Sequence, residues 1–441
     1  IISTRKRASP QRWSGSWPGG LRLVVAAALG LGGLSLAMLL LGTLHLLDPP
    51  WVPLLLLPAA GAAGLGEMRR LAAAGRSGFL GRAARPRDWL LLLAAIPVAT
   101  MAIAATFPPS TLWRSEVFGY DVMAYHLELP REYAAANATA PMAHNVYSFF
   151  PENMEMLYLL EGRVTTALTG VQNPLAGLYP SQFLHVLLML LAAAGLVLVP
   201  VRGLAGSGRL VAGVLFLAIP WTVVTGSLAY NEGGMLLAGI LALGLAMGAE
   251  RIKTRARRHT WLLVGVLLGL AMGAKLTAGA FFAVPVAWVM LCNAGLRRVR
   301  AVAAVAGLAA AVYGPWALRA AIYSGGNPIF PVAGTWLGHG PWDAAMAARF
   351  DAGHNAPLGE RTLGARAGAL ARESLLDSQW SPGVAQREAW RAAWKGEKLP
   401  DAQRAGVWER IGPLWPAVLL LLGGALARRA SSEAAASGGP R

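Results

Sequence analysis

The chain has 441 residues, 55% of them hydrophobic and 14% charged, with a mean hydropathy of +0.48, a net charge of +17 and a pI near 10.9. Soluble domains carry about 25% charged residues, so the balance excludes an ordinary soluble protein and points to a chain that crosses a membrane repeatedly. The basic excess is scattered through short loops rather than gathered on one patch, which argues against nucleic acid as a partner.

Residues 1–20 form a basic segment with Arg5, Lys6, Arg7 and Arg12. The apolar run after it is too long for a secretory signal and reads as a retained first span. Runs suited to ~30 Å of hydrocarbon recur, placing spans near 21–47, 51–66, 88–107, 174–200, 209–227, 232–249, 261–276, 278–293, 301–322 and 413–427. Strand-like alternation is absent, so helices carry the crossings. The expected fold is an all-α polytopic membrane protein of about ten transmembrane helices.

With the N-terminus in the cytoplasm, 24 of the 39 Lys and Arg fall in cytoplasmic segments and 18 of the 22 acidic residues fall elsewhere. That is the positive-inside pattern. Both termini are then cytoplasmic, the basic loops also suit anionic lipid head groups, and 428–441 is a small polar tail expected to be disordered. Three spans within 21–107 lead to a first long periplasmic loop at 108–173. Spans four to nine within 174–322 lead to a second, Trp-rich loop at 323–412, and the last span is 413–427. Cys292 is the single cysteine and can form no internal disulfide. No internal repeat is visible and few polar residues fall at mid-membrane depth, which disfavours a transporter.

The first long loop gathers Tyr120, Asp121, Tyr125, His126, Glu128, Glu132, His144, Glu152 and Glu155. Helical spacing puts Asp121, Tyr125, Glu128 and Glu132 on one face, with His126 turned away from it. Asp121 could cap a helix, and Glu152, just after Pro151, could sit at a helix N-terminus where the dipole favours a carboxylate. Alternatively these carboxylates enclose a polar pocket. His126 and His144 could join them around a divalent metal, although the spacing fits no closed zinc pattern.

Other polar interruptions fall on the same side of the membrane. They are "AYNEGG" with Glu232, "GAKLTAG" with Lys275, and "RAAIYSGGNPIFP" with Arg319 and Asn327. Ionisable residues at the membrane often mark function, while Lys275 could equally snorkel to lipid phosphates. Carboxylates beside a few cations suit a substrate with a lipid tail, a phosphate and a polar head. Asp121 could then accept a proton, and Lys275 and Arg319 could stabilise a departing phosphate.

"YDVMAYHLELPREY", "NVYSFFPENMEMLY", "AYNEGGMLLAGILAL" and "GVLLGLAMGAKLTAG" followed by "PWALRAAIYSGGNPIFP" resemble, in order and loop placement, bacterial glycosyltransferases of the GT-C fold. Those enzymes are akin to protein O-mannosyltransferases and lipid A aminoarabinose transferases. The resemblance covers 118–331. It implies a bacterial inner-membrane enzyme that takes a sugar from a polyprenyl-phosphate donor on the periplasmic side, with inversion. Asp121 matches the catalytic carboxylate. Glu232 is the nearest match to an Asp in the family's Ala-Tyr-x turn, Lys275 matches a turn lysine, and Asn327 with Pro328 matches the Gly-Asn-Pro turn. The expected site is thus Asp121, lined by Tyr120, Tyr125, His126, Glu128, Glu152, Glu155, Glu232, Lys275, Arg319 and Asn327.

The sequence departs from that family in two places. Asp121 is followed by Val122 rather than Glu, and a single span follows the second long loop. The alternative expectation is a GT-C-like subunit without catalysis that docks partner proteins. Loop 323–412, with Trp336, Trp342, Trp380, Trp390, Trp394 and Trp408, suits membrane-surface anchoring, carbohydrate stacking or partner docking.

Overall fold

Long runs of Leu, Ala, Val and Gly bury their backbone polar groups only by bonding them within the run, so they form helices. The computed structural model describes residues 19–58, 60–61, 69, 90–109, 111–113, 120–171, 180–199, 201, 206–249, 254–292, 296–354 and 362–371. Every regular element among them is helical. In chain order these are α1 (Gly19–Thr43), α2 (Trp51–Leu54), α3 (Leu90–Ala104), a π-turn (Val122–His126), α4 (Glu128–Ala136), a 3₁₀ turn (Val146–Phe149) and α5 (Asn153–Thr169). There follow α6 (Ser181–Leu198), α7 (Gly206–Ala218), α8 (Pro220–Gly226), α9 (Glu232–Gly248), α10 (Thr254–Ala274), a second π-turn (Gly279–Ala283) and α11 (Val284–Leu291). The described chain ends with α12 (Leu296–Ser324), α13 (Gly334–Leu337), α14 (Ala344–His354) and α15 (Leu363–Ala371).

Among the described residues three helices are long and apolar enough to cross a membrane: α1, α6 and Val299–Ser324 of α12. A fourth is counted when α7 and α8, bent by 64° at the break, form one broken span. The bend falls at Pro220, whose missing N–H interrupts the helical ladder. Leu92–Ala104, Glu232–Gly248 and Gly279–Leu291 are apolar but shorter. The expected last span at 413–427 lies outside the described residues, as do Trp380, Trp390, Trp394 and Trp408.

The centre of the bundle is α10, packed between α9 and α12, with α6 behind α9 and α1 against α5. Leu241, Ala242, Leu267 and Ala271 are buried at this centre. The α10–α12 approach is set by glycines. A Cβ at Gly269 would lie 2.6 Å from the Ala309 carbonyl oxygen, and one at Gly265 would lie 3.0 Å from that of Val305. Small residues that let backbones meet are how helices associate where no hydrophobic drive separates them from lipid.

At one end of the bundle the segment 120–158 lies over the helix ends and is tied down by buried bonds. Asn153, the first residue of α5, donates to the Leu270 carbonyl at 3.1 Å and accepts from the Trp316 indole at 2.8 Å. Ser35 of α1 donates to the Asn153 carbonyl at 2.6 Å. The described part of the second long loop joins the first through aromatic rings: fully buried Phe330 lies 4.8 Å from Phe149 and 4.8 Å from Trp342, which in turn meets Phe350. Trp342 is therefore a packing residue, whereas Trp336 is 88% exposed.

Candidate functional site

The segment 120–136 is not the single continuous helix expected from spacing. It is a π-turn, whose extra residue per turn widens the backbone, followed by α4. Such turns recur at functional sites because they re-aim side chains. Here His126 turns fully inward and Tyr125 stacks on Tyr147 at 4.3 Å, while Glu128 and Glu132 stay half-buried on α4, away from His126. Asp121 stands half-buried at the start of the turn and makes no capping hydrogen bond, so the capping alternative gives way. Tyr120, beside it, is exposed.

Inside, His126 Nδ1 meets Glu155 Oε1 at 2.5 Å, both side chains essentially out of solvent. The His126 ring also packs on Tyr125 at 4.1 Å and edge-on to Tyr230 at 5.2 Å. Burial pushes the Glu155 carboxyl up to about 8, against the pull of Lys275. Burial likewise raises the Tyr125 hydroxyl, helped by the neighbouring charge of Asp121. Tyr125 thereby lies within electrostatic reach of Asp121, Glu155 and Glu232 together.

Two turns complete this cluster. Glu232 opens α9 and forms an ion pair with Lys275, which follows the last residue of α10. About a third of the Lys275 side chain and a quarter of Glu232 remain exposed, and both act electrostatically on Glu155. Tyr158 ties the α9 turn to α5 by donating to the Tyr230 carbonyl at 2.5 Å. The second oxygens of Glu155 and Glu232 are buried without a hydrogen-bond partner among the described residues. Residues about 29 to 150 positions apart in sequence thus form one partly solvated polar centre at the end of apolar helices.

The other expected residues have different places. Arg319 is buried, and each of its nitrogens is occupied: Nε donates to the Thr139 carbonyl at 2.6 Å, Nη1 to the Ser148 carbonyl at 2.7 Å and Nη2 to the Tyr133 hydroxyl at 2.8 Å. Glu152 stands at the N-terminus of α5, as expected, but its side chain makes no capping bond. It accepts from Tyr133 at 2.9 and 3.0 Å and faces Arg319 at 3.5 Å. Burial raises the Glu152 carboxyl, while Arg319 pulls the other way. Asn327 is fully buried and bonds the Val332 and Gly338 carbonyls and the Ile329 amide, fixing its own loop. These three residues are committed to internal bonds.

Glu128 pairs with Arg131, whose hydrogen bond lowers the Glu128 carboxyl, and Glu132 pairs with His144 at 3.0 Å. His126 and His144 are thus drawn into separate pairs. No group of three or more potential metal ligands occurs among the described residues. Sequence reading missed His185 of α6, fully buried, whose Nε2 accepts from the Gly233 amide at 2.8 Å and so anchors the start of α9. A histidine within "SQFLHVLLML" was the available signal.

No protein-family model matches the chain, and no curated protein and no solved structure matches it either.

Proposed function

We propose that the protein is a polytopic membrane glycosyltransferase of GT-C type, with about ten spans and its polar centre on the periplasmic side of a bacterial inner membrane. The observation that carries this reading is the meeting of the Asp121 turn, the His126–Glu155 pair and the Glu232–Lys275 pair at one end of the apolar bundle. A lipid-linked sugar phosphate would present its tail to the helices and its charge to Lys275.

In the proposed step an acceptor hydroxyl oxygen bonds to the anomeric carbon as the bond from that carbon to the phosphate oxygen breaks. Asp121 takes the hydroxyl proton. The electron pair leaves on polyprenyl phosphate, whose charge Lys275 stabilises, and the configuration inverts. The His126–Glu155 pair holds the turn that presents Asp121 and Tyr125, and Tyr120 lines the exposed rim.

Reconstitution with polyprenyl-phosphate sugars tests the step. Asp121→Asn is expected to lower transfer by at least about 10²-fold, the low end of what a positioned base contributes, with the sugar-loaded donor accumulating on the protein in native mass spectrometry. Undiminished transfer would overturn the assigned mechanism. A bare chain held to other membrane proteins, indifferent to the substitution, would favour a docking subunit.

A further inference from the structure

Two glycines fix how α10 and α12 lie together. A Cβ at Gly265 would meet the Val305 carbonyl, and one at Gly269 would meet that of Ala309. The helices therefore run parallel, each α10 residue level with the α12 residue 40 positions later. That register brings their first turns side by side, at the end of α10 opposite Lys275. Arg257 and Arg258 of α10 come level with Arg297 and Arg298 of α12, and Arg255 and Arg300 lie within one turn of that height. No Asp or Glu occurs between Glu250 and Asp343 to balance them. Like charges gathered at one level repel one another unless an anion shares them.

An apolar groove of about 240 Å³ opens from the same end, between α10, α11 and α12. Leu268 and Met272 of α10, Val286 and Met290 of α11, and Val302 and Tyr313 of α12 define its walls, with alanines between them. Met290, near the end of α11, and Val302, near the start of α12, mark its mouth. From Val302 to Tyr313 the groove follows three turns of α12, about 16 Å at 1.5 Å per residue. That matches the depth of one leaflet, half of a hydrocarbon core of ~30 Å. Phe281, Val284 and Trp288 are exposed beside it, so the groove belongs to the apolar flank.

Helical register aligns two of the arginines with this groove. At about 100° per residue, Arg257 stands within about 20° of Leu268 around α10. Arg298 stands within about 20° of Val305 and Ala309 around α12, one turn before Val302. Arg257 is half-buried, whereas Arg258 and Arg300 are exposed. Arg300 is turned about 140° from Val305 and so lies off the groove face.

We propose that the groove holds one acyl chain of an anionic phospholipid whose phosphate sits at the Arg257 and Arg298 positions, joining the starts of α10 and α12. In the proposed orientation this lipid belongs to the cytoplasmic leaflet, where basic pockets between spans take anionic head groups. The site lies at the far end of α10 from the polar centre and is independent of the transferase reading. Ala306 and Ala310 line the groove and are exposed, so bulk added there fills it without entering the packed core. Ala304 is also exposed on α12 and lies outside the groove lining.

The test uses full-length protein in phosphatidylcholine nanodiscs with phosphatidylglycerol that carries a diazirine midway along one acyl chain. Labelling is expected to map to α11 and α12 and to be displaced by excess unlabelled phosphatidylglycerol. It should fall about fivefold in Arg257→Gln and in Arg298→Gln, the weight of one basic residue at a membrane surface, and be largely lost in Ala306→Phe and Ala310→Phe. Arg300→Gln and Ala304→Phe should leave it unchanged. Matched thermal unfolding excludes misfolded variants. Labelling that ignores both groove-filling substitutions, or that a phosphatidylcholine probe with the same diazirine reproduces, would overturn the proposal. So would an Arg300→Gln loss as large as that of Arg257→Gln, which would reduce the effect to the general field of the basic surface.

Discussion

The Arg319 guanidinium satisfies the Thr139 and Ser148 carbonyls and the Tyr133 hydroxyl while balancing Glu152. Removing one member of a buried ion pair costs about 3–5 kcal/mol, since the other is left charged and unpaired. Arg319→Met is therefore expected to lower the thermal unfolding midpoint strongly, and adding Glu152→Gln should restore part of the loss. An unchanged midpoint in the single variant would rule out the clamp. Glu155 makes a pH-dependent contribution. Burial raises its carboxyl from 4.5 to about 8, so the protonated form is the one the fold prefers. The associated stability is fully present below the ordinary value and is lost as pH rises through about 8. Glu161, raised by burial to about 7, adds to the lower part of that window. Thermal stability should thus fall between about pH 5 and 9, and Glu155→Gln should flatten the upper part of the curve; an unaltered slope would refute the assignment.

At the scale of elements, the join between α5 and α10 depends on one absent side chain. A Cβ at Gly273 would lie 2.3 Å from the Asn153 amide nitrogen, which is the group that bonds Leu270 while the same side chain accepts from Trp316. Gly273→Ala is expected to cost about 1–3 kcal/mol, as overpacking does, with loss of the Trp316 hydrogen bond visible in indole spectra. Helices were legible from apolar runs, and the convergence of the Asp121, Glu232 and Lys275 turns on one end was legible from alternation across the membrane. What spacing could not show was the π-turn at Val122–His126, since one extra residue in a turn leaves no mark in the sequence yet turns His126 inside and pairs Glu128 with Arg131. Arg319 and Asn327 look like ligands in sequence because they are polar residues at a helix end. Only the fold shows that their bonding capacity is already used.

For the whole molecule, the proposed orientation puts the polar centre outside the cell and Cys292, the native thiol, toward the cytoplasm. His144 is largely exposed on the first long loop, and Cys292 is exposed at the end of α11. In a Cys292→Ser background, His144→Cys should react with an impermeant maleimide on spheroplasts, whereas native Cys292 should react only after permeabilisation. The reverse pattern would invert the topology. The clamp on Arg319 also bears on how the protein is made. The backbone it holds at Thr139 is synthesised 180 residues earlier, roughly 10 to 40 s at about 5–20 residues per second. In the proposed topology the first loop has by then crossed the membrane but lacks its keystone, so a ribosome stalled before residue 319 should expose a loop that proteases can cut. Chains released beyond that point would resist them, making the late arrival of one arginine the moment at which the nascent protein becomes safe from quality control.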